Sequence, residues 1–103
     1  MKKRMAMTLA ALALSVIMAV PAYAGTWKYV NDQWKYQRGA NKFAYNEWVK
    51  DNGNWYYLDK DGYMKTGWLE YKGQWYYMDP ENGVMQTNRI IDGYQLDSSG
   101  VRI

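Results

Sequence analysis

Cysteine and histidine are both absent from this sequence of 103 residues. Without them the chain forms no disulfide, lacks the Cys and His ligands that hold zinc, and lacks the usual activating base of a nucleophile. Ser98 and Ser99 stand in a predicted turn, with no base beside them. Asp59 and Asp61 are typical of a hairpin turn rather than of an acid–base pair. We therefore expect no enzyme activity, no metal site and no cofactor.

The first 24 residues have the pattern of a secretory signal peptide. Three basic residues at positions 2–4 precede an apolar run at 5–20, and Ala22 and Ala24 occupy the small-residue positions of a cleavage site. The apolar run is shorter than the roughly 20 residues that a membrane-spanning helix needs. We predict a signal peptide at 1–24, cleavage after Ala24, and a secreted mature chain at 25–103.

The mature chain also lacks an excess of either charge. The predicted signal peptide contains three of the 13 Lys and Arg residues and none of the ten Asp and Glu residues, which leaves ten of each in the remainder. A protein that binds nucleic acid needs a basic face. We therefore expect no nucleic-acid partner.

Aromatic residues, in contrast, are abundant and regularly spaced. All six tryptophans fall into three pairs with members seven residues apart, and the pairs recur every 20 or 21 residues. They are Trp27 and Trp34, Trp48 and Trp55, and Trp68 and Trp75. Such a period predicts stacked supersecondary units. We expect units at about 25–47, 48–67, 68–88 and 89–103, of which the first and the last are degenerate.

The two central units predict an all-β fold. WVKDNGNWYYLDKDGYMKTG at 48–67 aligns with WLEYKGQWYYMDPENGVMQTN at 68–88. In each, an aromatic run precedes a turn rich in Asp, Asn and Gly, which favours a strand followed by a tight turn. We expect a hairpin between the WYY strand and a returning strand at 63–66 or 84–87, then a connector carrying Trp48 or Trp68. Stacked hairpins would form a short β-solenoid.

The motif WxxxxGxWYYLDxxGxMxTGW resembles the choline-binding repeat, also called the cell-wall-binding repeat, of Gram-positive surface proteins and phage lysins. The resemblance covers residues 27–103 and is closest over 48–88. It implies that the solenoid is left-handed and that choline of teichoic acid lies between neighbouring units. In that family the connector Trp, the strand Trp and a Tyr of the next unit enclose the ligand, with a Met nearby.

Transferred to this chain, the resemblance implies three aromatic cages. They comprise Trp48 and Trp55 with Tyr77, Trp27 and Trp34 with Tyr57, and Trp68 and Trp75 with Tyr94. Met64 and Met85 could line these cages or simply pack between hairpins. Strand alternation puts the two tyrosines of each doublet on opposite faces, so the choice of Tyr57 and Tyr77 over Tyr56 and Tyr76 could be reversed.

The expected function is a secreted, wall-associated module that binds choline or phosphocholine on teichoic acid. One cation–π contact contributes about 0.5–2 kcal/mol, so three rings give roughly 4 kcal/mol, or about millimolar affinity. Several cages on one frame would then act by avidity. Two alternatives stay open: a module that binds carbohydrate such as glucan, and a structural or protein-interaction stack, which includes a homodimer.

Overall fold

The computed structural model describes residues 25–103. The predicted signal peptide at 1–24 lies outside the described residues. Within them every regular element is a β-strand, so the predicted all-β fold is confirmed. Over the same residues no helix is long and apolar enough to cross a membrane.

Nine strands form four antiparallel sheets along the described part of the chain. The strands are β1 Thr26–Val30, β2 Gln33–Gly39, β3 Lys42–Phe43, β4 Glu47–Asp51, β5 Asn54–Leu58, β6 Gly67–Tyr71, β7 Gln74–Met78, β8 Ile90–Ile91 and β9 Tyr94–Gln95. Hairpin 1 is β1–β2 with β3 added at its edge, hairpin 2 is β4–β5, hairpin 3 is β6–β7, and hairpin 4 is β8–β9.

The hairpins pair different segments from those that we predicted. The segment carrying Trp48 is not a connector: it is strand β4, which pairs with the WYY strand so that Trp48 lies opposite Tyr57. The chain reverses at Asn52 and Gly53, whose φ angles are 51° and 83°. Positive φ at both turn residues is the geometry that matches the twist of a two-residue hairpin, and Asn-Gly is its preferred sequence.

The predicted returning strands are instead links between hairpins. Met64 forms only an isolated bridge with Leu58, and its N–H donates to the Trp34 carbonyl of the preceding hairpin at 2.8 Å. Met85 makes the same bond to the Trp55 carbonyl at 2.9 Å. Each hairpin is thereby hydrogen-bonded to the one before it, and this spacing brings side chains of neighbouring units together.

The aspartates after the WYY strands close the loops between units. The Asp59 Oδ1 accepts hydrogen bonds from the N–H groups of Asp61 and Tyr63, both at 2.9 Å. Asp97 binds Ser99 and Val101 in the same way. Such side-chain-to-backbone bonds fix a turn without a strand ladder. They give these carboxylates a structural role.

The core is small and is repeated along the stack. Within residues 25–103 the largest fully buried side chains are Leu58 in hairpin 2, Met78 in hairpin 3 and Leu96 directly after hairpin 4. Around Leu58 lie Tyr36, Ala44 and Val49, and a second cluster contains Met78 with Tyr57 and Leu69. Burial of Leu58, Met78 or Leu96 contributes about 1.5–3 kcal/mol in each case. Several half-buried aromatic rings, among them Trp27, Trp48 and Tyr76, pack against these clusters and form the surfaces between hairpins.

Candidate functional site

An aromatic arrangement that opens to solvent lies between hairpins 2 and 3, at a place that we call the central junction: Trp48, Trp55, Tyr76 and Met85. With Ser99 these residues line a pocket of about 260 Å³. The Trp48 ring stands 6.4 Å from the Trp55 ring at an interplanar angle of 85°, and 5.1 Å from the Tyr76 ring at 69°. The three rings therefore form the walls of a box that opens to solvent.

Strand pairing explains how this box is built. Trp48 on β4 and Trp55 on β5 are diagonal neighbours, because Trp55 lies opposite Lys50, two residues along from Trp48. Diagonal neighbours on one face of a hairpin are within reach of each other when the side chains are large. Tyr76 comes from β7 of the next hairpin, and the Met85 N–H bond to Trp55 holds the fourth wall in place.

The structure corrects which tyrosine of each doublet crosses to its neighbour. Tyr77, expected beside Trp48, lies opposite Trp68 of its own hairpin at a ring distance of 4.9 Å. Tyr57 likewise faces Trp48 of its own hairpin at 5.2 Å. The adjacent residue of a strand points to the opposite face, so Tyr76 reaches the preceding hairpin instead.

The first junction, between hairpins 1 and 2, repeats part of this arrangement. Trp27 contacts Tyr56 of the next hairpin at 4.9 Å, and its Nε1 donates to the Asp51 Oδ2 at 3.1 Å. The Trp34 backbone carbonyl accepts a hydrogen bond from the Met64 N–H. The first junction is therefore Trp27, Trp34, Tyr56 and Met64, the counterparts of the four residues at the central junction.

The third junction, between hairpins 3 and 4, brings together the three aromatic residues expected there and adds a cation. The Trp68 and Tyr94 rings are 5.8 Å apart at 84°. The Arg102 Cζ lies 4.1 Å from the Tyr94 ring centroid, 5.3 Å from that of Trp75 and 5.4 Å from that of Trp68. Arg102 was not predicted. The sequence does contain a pattern that indicates it: Gly-x-Met occurs at 62–64 and 83–85, and Gly-x-Arg occurs in the same place of the last unit, at 100–102.

Met85 lines the central pocket, and both Met64 and Met85 pack against the core clusters. The cluster that Met85 packs against is the one around Met78. Met64 lies so close to Gly83 that a Cβ at that glycine would come within 2.5 Å of its Sδ. Gly83 also has a φ of +76°, a conformation that suits glycine. The two uses that we expected of these methionines are therefore compatible.

Charge is sparse at the central junction. No charged residue lines the pocket, and the cation–ring contact found there runs from the Lys50 Nζ to Trp55 alone, at 5.7 Å. Beneath the pocket, burial raises the pKa of Tyr57 above 10.0, and the charges of Tyr71 and Asp59 act in the same direction. The box therefore consists of neutral rings and a thioether.

The comparisons with known proteins agree with this geometry. A family model described as the choline-binding repeat matches residues 45–89. A choline-binding domain from Streptococcus pneumoniae is 34% identical, with a TM-score of 0.69, over 82% of this chain and 99% of that domain. No protein of curated function matches.

Two longer proteins are similar over one part of their length. Choline-binding protein F from Streptococcus pneumoniae is 35% identical, with a TM-score of 0.68, over 75% of this chain and 26% of its own. The modular Cpl-1 endolysin, solved with a peptidoglycan analogue, is 36% identical, with a TM-score of 0.68, over 86% of this chain and 27% of its own. This chain thus spans about a quarter of either protein. By its motif, fold and match to a complete choline-binding domain, the chain belongs to the choline-binding repeat family.

Proposed function

We propose that the chain is a secreted, non-catalytic module that attaches to the cell wall by binding the choline or phosphocholine of teichoic acid at the junctions between its hairpins. The observation that carries this proposal is the open box at the central junction, in which the Trp48 ring meets Trp55 and Tyr76 at steep angles and Met85 forms the fourth wall. The first junction, with the counterparts of the same four residues, is the second proposed site.

The chemistry of the box favours a quaternary ammonium group over other cations. Ring faces are electron-rich and attract a cation, most strongly when the cation gives up little hydration on entering. The pocket lining of Trp48, Trp55, Tyr76, Met85 and Ser99 offers no carboxylate. A small, strongly hydrated cation would lose water there without gaining an anion, whereas the methyl groups of choline pack against rings and thioether.

Weak single sites are consistent with a repeated frame. Three ring contacts give roughly 4 kcal/mol, or about millimolar affinity. One such site holds a protein on a wall only briefly. Two sites on one frame, facing a polymer that repeats its choline, raise the overall affinity through effective concentration. The peptidoglycan analogue bound by the Cpl-1 endolysin supports a wall setting for this fold.

A choline titration of the chain tests the proposal. The indole N–H signals of Trp48 and Trp55 in ¹H–¹⁵N spectra are expected to shift with a midpoint of about 1 mM. Ethanolamine is the matched control, because it keeps the charge and the hydroxyl but lacks the three N-methyl groups, so it should bind much more weakly. No saturable shift up to ~100 mM choline, far beyond the ring-contact estimate, would contradict choline binding.

Affinity chromatography separates this proposal from the alternatives. The chain is expected to stay on a resin that carries tertiary amines and to elute with free choline. Retention on dextran without retention on the amine resin would favour a carbohydrate ligand. If a variant with both Trp48→Ala and Trp55→Ala bound purified cell walls as well as the unaltered chain does, attachment would have to run through another surface.

A further inference from the structure

We propose that Arg102 is an internal ligand of the third junction: its guanidinium occupies the aromatic box between hairpins 3 and 4 and closes that box to external quaternary ammonium groups. The choline part of this inference rests on the proposed function, since it assigns the third box the same ligand chemistry. The occupancy by Arg102 does not depend on it.

Backbone geometry places Arg102 where the other junctions have methionine. The N–H groups of Met64, Met85 and Arg102 donate to the carbonyls of Trp34, Trp55 and Trp75, at 2.8, 2.9 and 2.9 Å. The three residues also form equivalent isolated bridges, with Leu58, Met78 and Leu96 respectively. One position of the repeat therefore carries a thioether twice and a guanidinium once.

The guanidinium lies against all three rings of its box. Its Cζ is 4.1 Å from the Tyr94 centroid, and the distances to Trp75 and Trp68 are 5.3 and 5.4 Å, all within the range of a cation–π contact. By comparison, Lys50 touches one ring of the central junction, at 5.7 Å. Guanidinium is planar and weakly hydrated, so it stacks well on aromatic faces.

The surroundings of Arg102 are consistent with a ring-bound cation. Within residues 25–103 it forms no salt bridge. The Asp92 carboxylate stands at the edge of the box, where its Oδ2 accepts a hydrogen bond from the Trp68 Nε1 at 2.8 Å. Among the described residues, the rings are thus the main partners of this charge.

A tethered cation has an advantage over a free one. Its effective concentration at the box is set by the chain and is in the millimolar range or above. An external ligand binds only when the box is open, so its apparent dissociation constant rises by the reciprocal of the open fraction. If the box is open a tenth of the time, choline binds about tenfold more weakly at the third junction than at the central one.

The test is a choline titration of the full chain and of Arg102→Met, which puts at this position the residue of the other two junctions. In the unaltered chain, Trp68 and Trp75 should not shift over the range that saturates Trp48 and Trp55. In the variant, their midpoint should fall by at least about tenfold and approach that of the central junction.

Arg89→Met is the matched control, since it removes an exposed arginine of the same segment, which donates to the Gln86 Oε1 at 2.6 Å. It should leave Trp68 and Trp75 insensitive to choline. The proposal is overturned if these two signals titrate together with Trp48 in the unaltered chain. It is also overturned if they stay still in a folded Arg102→Met variant in which Trp48 does respond.

A second measurement needs neither choline nor a variant. A guanidinium held against three rings places the Arg102 δ-methylene protons in their ring currents, so these protons should resonate upfield of their random-coil position. A random-coil shift would overturn the proposal. If no indole signal moves with choline in the unaltered chain, the proposed function fails, whereas an upfield shift would still support Arg102 as the occupant of its box.

Discussion

The central and third junctions have nearly the same frame and differ at one decisive position. Both set two tryptophans of one hairpin against a tyrosine of the next, and both receive a backbone bond from the segment that follows that next hairpin. The fourth wall is Met85 in one and Arg102 in the other. The frame thus fixes where the rings stand, and the side chain at this one position decides whether the box is open or filled.

A second difference makes the third junction more polar. The Trp48 ring meets the Tyr71 ring edge-on at 5.6 Å, whereas the Trp68 Nε1 donates to the Asp92 carboxylate. At the first junction Trp27 makes the same kind of bond to Asp51 of the five-residue strand β4, so the difference depends on which residue of the next hairpin stands beside the tryptophan: Tyr71 at the central junction and Asp92 at the third. Residues 89–103 therefore supply both the Arg102 guanidinium and the Asp92 carboxylate of this junction.

The largest expected effect tests whether the two junctions share one frame. Met78 is fully buried, in hairpin 3, which contributes to both. Met78→Ala leaves a cavity and should lower the free energy of unfolding by about 2–5 kcal/mol. Ile90→Ala, at a side chain 66% exposed, is the control and should stay within about 0.5 kcal/mol. Urea denaturation measures both, and equal values for the two variants would mean that hairpin 3 is not the common support.

Replacing Met85 by arginine should convert the open central junction into a filled one like the third. Met85→Arg should place a guanidinium among Trp48, Trp55 and Tyr76, and should weaken choline binding there by at least about tenfold. Met85→Leu, which conserves volume, should keep the midpoint within about threefold. The Trp48 and Trp55 indole signals measure it. If the choline midpoint is unchanged in Met85→Arg, an arginine at this position is not enough to close a box, and the Asp92 carboxylate of the third junction is also required.

A smaller effect comes from removing one ring from each box. Trp55 is 39% exposed, so Trp55→Ala should cost little stability, yet it should weaken choline binding at Trp48 by about tenfold, the equivalent of one ring contact. Trp75→Ala removes the corresponding ring from a box that Arg102 already fills. It should leave the choline midpoint at Trp48 unchanged. Equal losses in the two variants would contradict the distinction between open and filled boxes.

The sequence alone predicted the repeat, the all-β fold and the three tryptophan pairs, because each depends on spacing. It did not predict which segments pair. Asn52-Gly53 and Asp61-Gly62 are both turn sequences, so spacing alone does not show which of them carries the strand ladder. The second turn is closed by two hydrogen bonds to the Asp59 side chain and by backbone bonds between Asp59 and Gly62 or Tyr63, and the strand ladder forms around Asn52-Gly53 instead.

The facing tyrosine and Arg102 escaped prediction for related reasons. Alternation separates Tyr76 from Tyr77, but only the position of the neighbouring hairpin shows which face meets it. Arg102 was hidden because the last unit is shortened: Tyr94, Gln95 and Leu96 stand where the others have a longer aromatic run. Counting back to the turn glycine, Gly100, would have aligned Arg102 with the methionines.

The smallest expected effect concerns the support beneath the open box. Tyr57 contacts Trp48, and its burial, together with the charges of Tyr71 and Asp59, raises its pKa above 10.0 in the folded chain. The unfolded chain therefore releases this proton first, so the contribution of Tyr57 to stability is constant below about pH 10 and declines as the pH rises above it. In Tyr57→Phe this part of the decline should disappear. Urea midpoints at about pH 8 and pH 10.5 should then differ less in the variant than in the unaltered chain, and an equal difference would mean that no proton is held at the foot of the central junction.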